Sequence, residues 1–585
     1  MKKSINVVFS FLLYYTTAFA QGPDANMQLK EMQISSAPTH VGFSDSTVQL
    51  MALVMDADKM IREKGEEAFA AFREKGSRWR QGETYIFILD MEGNMVVHPD
   101  AELEGKNQLE LKDVNGKYII RGLLRAVTVM PYKPEGWYHY QWPEPGGLMP
   151  RWKSSFVRVA ITPKGKRYVV GSGMYNDRME PEFVIEMVRD AVGQIETLKK
   201  DAFDLLHDMK GPFRVKDTYV FVIDEDGTEL VNPGFPNLEG RNVMDVKDTE
   251  GKMLVQEMFS VMRTLGSGWV DYMWPKPGES VSTQKSTYVS GAKLGNKTVL
   301  VGCGVYLSDA PKAEATAPKM KAPELMALVR EAADVFSKSG EQAFPEFRMK
   351  GSRWFKDDTY FFVWTLDGVR KFHAADPKSE GKNVSDLRDV LNRPIGKLFL
   401  EAGASASGEG WAHYMYPEPG QMFPAWKSTF VKRVTFPDGK QYLIGCGIYH
   451  MQMDKAFIED LVNRAADLIA KEGKKAFPIL RDKSGPFLFM STYIFVQSPE
   501  GVELVNGVHP NLEGRNLIDL KDLKGKPVIR LQNEAAMKKG SAWLEHYWYT
   551  PGDNTPALKQ TFVRKVEHEG VTYIVGSGLY PEMKN

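Results

Sequence analysis

Four lysines stand at the same place in a repeated pattern and carry the chemistry needed to hold an anion. Lys153, Lys285, Lys427 and Lys559 are each followed, two and four residues on, by a small or β-branched pair: Ser155 and Val157, Thr287 and Val289, Thr429 and Val431, Thr561 and Val563. Side chains alternate across a strand, so each lysine shares a face with residues that look inward. Each is read as opening its strand. Two placements fit. In one the stem lies on the sheet and the ammonium reaches water. In the other the ammonium is a fixed cation at the mouth of a pocket, ready for a carboxylate.

The strand before each lysine is aromatic. In the first copy it reads Trp137-Tyr138-His139-Tyr140-Gln141-Trp142; its counterparts run Trp269 to Trp274, Trp411 to Tyr416 and Trp543 to Trp548. One face therefore carries Tyr138, Tyr140 and Trp142, then Val270, Tyr272 and Trp274, then Ala412, Tyr414 and Tyr416, then Leu544, His546 and Trp548. That face is expected to be buried, either as plain core or as a pocket wall. Tyr and Trp suit a wall because they join apolar area to a polar tip.

Two further families of residues recur. Five residues after a turn glycine stands His98, Asn232, His373 or Asn506. Both residue types hydrogen-bond sideways from a strand end, to the backbone of a turn or to a ligand. Asp113, Asp248, Asp389 and Asp522 lie ahead of a helical stretch. There an Asp is expected to cap free backbone N–H groups.

The elements that position these residues are written four times. Gly105-Lys106-Asn107 returns as Gly240-Arg241-Asn242, Gly381-Lys382-Asn383 and Gly514-Arg515-Asn516, at intervals of 135, 141 and 133 residues. Each unit closes on Gly-x-Gly-x-Tyr, ending at Tyr175, Tyr306, Tyr449 and Tyr580; tight packing is its expected role. The first and third copies share Gly-Ser-Arg-Trp and Pro-Glu-Pro-Gly, the second and fourth Asn-Leu-Glu-Gly-Arg-Asn, so a two-domain unit was duplicated whole.

Each unit opens with a helical pattern: Leu50, Val54, Ala57 and Ile61 recur at i, i+4, i+7 and i+11. Gly65 interrupts it, with Gly340 and Gly473 at matching places, before a second short helix through Phe69 and Phe72. A strand, Thr84 to Leu89, is apolar on both faces and is expected to be covered on both sides. The fold class is α/β in the α+β sense: a long helix packed behind an antiparallel sheet, with a pocket side opposite.

The 585 residues, 43% hydrophobic and 11% aromatic, exclude global disorder. Lys2 and Lys3, the apolar run Ile5 to Tyr15, and Ala18-Phe19-Ala20 form a secretory signal, with cleavage expected after Ala20 and a periplasmic or secreted protein as product. Without those two lysines, 73 basic residues face 75 acidic ones. That balance argues against nucleic acid as a partner. No later stretch reads as a membrane span, so no integral membrane protein is expected. Cys303 and Cys446 occupy the centre of Gly-x-Gly in two different copies and are not expected to pair. The sequence has no zinc-protease His-Glu-x-x-His, nucleophile elbow, phosphate loop or Cys-x-x-Cys, so neither enzyme activity nor a metal or cofactor is expected.

Taken in order, the Asp/Glu-x-Gly turn, His98-Pro99 or Asn232-Pro233, Gly-Lys/Arg-Asn, Lys-Asp, Gly136 to Tyr140, Lys-x-x-Tyr/Phe and Gly-x-Gly-x-Tyr resemble the single Cache domain of type 2. This is an extracellular sensor module of bacterial chemoreceptors and sensor kinases. The resemblance covers roughly residues 47–580 and implies four tandem PAS-like domains, at 47–176, 182–307, 322–450 and 455–581. A signal peptide at 1–20, a flexible lead at 21–46 and an Ala/Pro/Lys linker at 308–321 complete the chain. It implies a small-molecule ligand, often a short organic acid; the function expected is a binding or sensory protein that hands its state to a membrane receptor or kinase partner. Phe156, Phe430 and Phe562 depart from the family's usual Tyr, His546 from the Tyr of the other copies, and Ala374 and Gly507 from the His/Asn-Pro pair. Some pockets are therefore expected to be degenerate, and a scaffold of such modules is the competing reading.

Overall fold

A computed structural model describes residues 43–129, 134–145, 147–175, 179–279, 281–307, 320–356, 358–418, 423–552 and 555–581. The signal peptide, most of the expected lead and linker residues 308–319 lie outside the described residues. Each module begins with a long helix: Asp45–Lys64, Pro181–Leu198, Ala322–Ser339 and Lys455–Glu472. In the first, the Ser44 hydroxyl accepts from the Thr47 N–H, and Leu50, Val54, Ala57 and Ile61 are buried. The helix ends where Gly65 turns to φ 62° and its N–H reaches the Ile61 carbonyl. Only a residue without Cβ adopts that turn freely.

Behind each helix lies an antiparallel sheet of one design. In the first module the order across the sheet is Met95–Val97, Phe87–Asp90, Arg167–Tyr175, Pro150–Ile161, Glu135–Pro143. Among the described residues this order occurs four times. The inner strand is apolar on both sides because both faces are covered. Ile88 packs with Leu50, Val54 and Ile61 under the long helix. Phe87 and Leu89 pack with Ile119, Ile120 and Leu123 of a second helix, Ile119–Thr128, on the opposite face.

The lysine strands are Pro150–Ile161, Ser282–Leu294, Pro424–Thr435 and Pro556–His568. They begin three residues earlier than the sequence suggested, so each lysine lies inside its strand. The register then sets Lys153 between Tyr140 and Tyr175, Lys285 between Tyr272 and Tyr306, and Lys427 between Tyr414 and Tyr449. In the fourth module Lys559 stands opposite His546.

Modules contact one another by a rule that repeats. Phe183, on the second long helix, packs on Trp137 and His139 at 4.8 Å; Phe457, on the fourth, packs on Trp411 at 4.6 Å and His413 at 4.7 Å. Lys117 of the first module donates to the Arg214 carbonyl of the second, as Arg393 of the third donates to the Gly485 and Leu488 carbonyls of the fourth. Among the described residues no helix is long and apolar enough to cross a membrane.

Candidate ligand-binding site

The four lysines do not reach water. Lys153 is 1% exposed, and Lys285, Lys427 and Lys559 are as deeply enclosed. Each ammonium donates to a tyrosine hydroxyl at the start of the inner strand or, in the first and fourth modules, in a two-residue strand just before it: Lys153 to Tyr85 at 2.7 Å, Lys285 to Tyr219 at 3.1 Å, Lys427 to Tyr360 at 2.8 Å and Lys559 to Tyr493 at 3.1 Å. Each also lies over at least two rings, and Lys559 over three. Lys153 sits 4.0 Å from the Tyr85 centroid and 5.1 Å from that of Tyr175, and Lys427 sits 4.2 Å and 4.5 Å from Tyr360 and Tyr449. Such ring faces partly offset the lost hydration of a cation. None of the four lysines makes an ion pair among the described residues.

The closing Gly-x-Gly-x-Tyr makes room for this arrangement. A Cβ on Gly171 would stand 2.5 Å from the Phe87 ring, and one on Gly173 would stand 2.4 Å from Cε of Lys153. Gly304, Gly447 and Gly578 face the corresponding lysine stems in the same way. The motif's tyrosines anchor the rim. Tyr175, Tyr306 and Tyr449 donate to the carbonyls of Pro143, Pro275 and Pro417, and Tyr580 to that of Tyr549.

On the aromatic strands, Tyr140, Tyr272 and Tyr414 are buried and share hydrogen bonds with Ser155, Thr287 and Thr429 at 2.9–3.0 Å. His546 replaces that tyrosine in the fourth module and leaves the Thr561 hydroxyl buried without a partner. Tyr138, Trp274 and Trp548 are buried as expected of that face, and Trp142 is half-buried. Tyr416 departs from the expectation: it is 36% exposed, at the outer end of its strand.

His98, Asn232, His373 and Asn506 hold the turn that follows their strand. The Asp100 and Asp376 N–H groups donate to Nδ1 of His98 and His373, and the Phe235 and His509 N–H groups donate to Oδ1 of Asn232 and Asn506. Their other edges face the site. The His98 ring stands 5.2 Å from Tyr85 and 6.2 Å from Trp142. The Asn232 and Asn506 amides donate to buried Glu229 and Glu503.

Two cavities lie at these residues. One, about 20 Å³, is lined by Tyr85, His98, Tyr140 and Trp142 together with apolar residues of the first module. The other, about 10 Å³, is lined by Glu503, Asn506, His546, Trp548 and Lys559 among others of the fourth. Each has room for about one water molecule, so a larger guest requires side chains to move.

Burial sets the electrostatics. It drives Lys153 and Lys559 down to about 7 and Lys285 down to about 8, and lifts Glu229 to about 8 and Glu503 to about 7. His98 falls to about 4, and His373 and His546 to about 3, first through burial and then through neighbouring cations. These imidazoles are neutral at pH 7.

The aspartates do not cap a helix. Asp113 accepts from the Asn115 and Lys117 N–H groups with one oxygen and from the Gln141 N–H with the other. Asp248, Asp389 and Asp522 repeat this on Met273, Met415 and Tyr547. Each ties a turn to the aromatic strand, several residues ahead of the helix itself. The tyrosine partners of the lysines escaped sequence reasoning, although each closes a repeated Thr-Tyr pair: Tyr85, Tyr219, Tyr360 and Tyr493. Cys303 and Cys446 are buried and free.

Loops of the odd modules close the even sites. Phe423 lies 4.7 Å from Trp274 and 5.7 Å from Phe235 in the second module. Met149 is buried among Leu512, Leu517, Ile529 and Trp548 of the fourth, where the Asn511 amide donates to the Leu148 carbonyl.

Comparison with known proteins identifies the family. A family model described as "Cache domain" matches residues 63–178, 348–485 and 456–583, together more than half of the chain, and one described as "Single Cache domain 2" matches 183–318. The chain is 30% identical over 93 residues to the methyl-accepting chemotaxis protein McpP of Pseudomonas putida, covering 16% of this chain and 17% of the relative. It is 34% identical over 94 residues to the sensor histidine kinase MctS of Rhizobium johnstonii, covering 16% and 20%. The chain thus spans a fifth or less of the length of these curated relatives. Among solved structures, a methyl-accepting chemotaxis protein from Vibrio parahaemolyticus is 25% identical, covering 21% of this chain and 86% of that one, with a TM-score of 0.19.

Proposed function

The chain belongs to the Cache domain family, and from that membership we propose that it is an extracytoplasmic sensor whose modules bind small organic acids. On this reading residues 47–176, 182–307, 322–450 and 455–581 are four single Cache copies, the chain is exported with cleavage after Ala20, and a membrane receptor or kinase takes up the bound state. The role is binding, without catalysis. The observation that carries the reading is the buried, unpaired ammonium of Lys153, under an aromatic wall and beside a cavity. A cation held there without a counter-ion is costly, and a carboxylate entering from the cavity side would relieve that cost. McpP and MctS, a chemotaxis receptor and a sensor kinase by name, are consistent with a sensory role.

The test is a thermal-shift panel of short carboxylates, amines and neutral solutes on the exported chain. A ligand that binds only the folded state raises Tm. The expected outcome is a rise with carboxylates that is reduced in Lys153→Met by the share of the first module. A rise with amines or neutral solutes alone defeats the proposal. A second reading, a scaffold of modules with closed pockets, draws on Met149 and Phe423 covering the fourth and second sites. It predicts no shift with any solute.

A further inference from the structure

One position in the site changes charge from module to module. Three residues before His98, Asn232, His373 and Asn506 stand Met95, Glu229, Arg370 and Glu503. Each is the first residue of its edge strand. Met95 and Glu503 line the two cavities. Glu229 and Glu503 are buried and place a carboxyl group on the side from which the lysine charge is felt.

In the third module this position holds Arg370. It pairs in register with Trp364, and its guanidinium lies 5.6 Å from the Trp364 ring. Trp364 packs on Phe362 and Phe399, and Phe399 packs on Tyr414, so Arg370 belongs to the layer that carries the aromatic wall. Its charge is felt at His373, Tyr414 and Tyr416. Its Nε is buried without a hydrogen-bond partner, and among the described residues its guanidinium makes no ion pair. The second cation, Lys427, is held by Tyr360, whose ring stands 5.0 Å from His373.

Neither Glu380 nor Asp376 of the adjoining turn makes an ion pair with Arg370 or Lys427. Glu380 is taken by Arg348 at 2.7 Å and by the His373 N–H at 2.9 Å, and Asp376 is exposed. Tyr416, partly exposed, leaves an approach along the strand end.

We propose that the third module takes a ligand with two anionic groups, a short dicarboxylate, held between Arg370 and Lys427. The proposal rests on reading the site as an anion pocket. Arg370 presents a planar fork that accepts a carboxylate through two parallel hydrogen bonds, and Lys427 supplies a point charge for the other end. The first module, with Met95 in place of Arg370, lacks the second cation and has no reason to prefer two charges over one.

The experiment is calorimetry on the whole exported chain with succinate and with butyrate, which share a chain length and differ by one carboxylate. One site per chain should bind succinate at least roughly tenfold more tightly than butyrate. Arg370→Met should abolish the preference at that site, while Arg370→Lys, which keeps the charge, should retain part of it. Circular dichroism of both variants checks the fold. If butyrate binds in a Lys427-dependent way and Arg370→Met changes nothing for succinate, this inference fails and the anion-pocket reading stands. If neither acid binds, both fail.

Discussion

At the residue scale, the central fact is a lysine without water and without an acid. Its partners are a tyrosine hydroxyl and two ring faces, which hold the ammonium less strongly than bulk water does. Hence the folded-state value of about 7 for Lys153, far below the ordinary value near 10.4. The sign of the consequence follows. Between these two values the unfolded chain binds more protons than the folded one, so this lysine's burial penalty is full below pH 7 and is relieved as pH rises toward 10. Measured against Lys153→Met, the wild type should gain about 2 kcal/mol of relative stability between pH 7 and pH 9, read from urea midpoints. A gap that does not move with pH means that Lys153 titrates normally. A bound carboxylate raises the lysine's pKa, so acid affinity should fall as pH climbs above 7.

At the element scale, helix termination shows how closely local chemistry follows the repeat. Gly65, Gly340 and Gly473 end three of the long helices at φ 56–62°. The second helix reaches the same turn at Lys199, with φ 57° and ψ −130°. A side chain held there is strained. Lys199→Gly is therefore expected to stabilise the protein by about 1 kcal/mol, seen as a higher urea midpoint. An unchanged or lower midpoint would mean that the Lys199 side chain compensates for the strain. The same scale explains the paired glycines of the closing strand. Gly171 yields to a phenylalanine ring and Gly173 to a lysine stem, so the motif is packing in service of the site.

At the scale of the whole molecule, the modules are not independent copies. The first and third present Trp137 with His139 and Trp411 with His413 to the next module's helix, which covers the face of the aromatic strand opposite the site. The same two modules send Met149 and Phe423 onto the fourth and second sites. Phe423→Ala removes an aromatic contact on Trp274 and should cost about 1–3 kcal/mol. Hydrogen exchange is the sharper measure. Amides of Ser267–Pro275 should exchange faster, while those of Glu135–Pro143 keep their rate. Equal acceleration in both strands would argue that the change loosens the whole molecule and not this contact.

Much of this was legible in the amino-acid order. The fourfold repeat shows in motifs that recur in fixed order along the chain, and the helix through Leu50 and Ile61, the doubly covered inner strand and the alternation of Tyr138, Tyr140 and Trp142 follow from short-range periodicity, because a strand or helix sets which neighbours share a face. The lysines were found for the same reason. What they touch was not, because a lysine's partner lies on another strand some 66–68 residues away. Whether it reaches water depends on how the sheet is covered. Asp113 looked like a helix cap until the fold set its carboxylate against Gln141, 28 residues on. The outward face of Trp137 and His139 is polar or apolar in effect only according to whether a second module lies on it. Periodicity within an element is set by bonded geometry and is written in the sequence. Burial, charge state and the closing of one module's site by another's loop are set by which surfaces meet, and only the tertiary structure decides that.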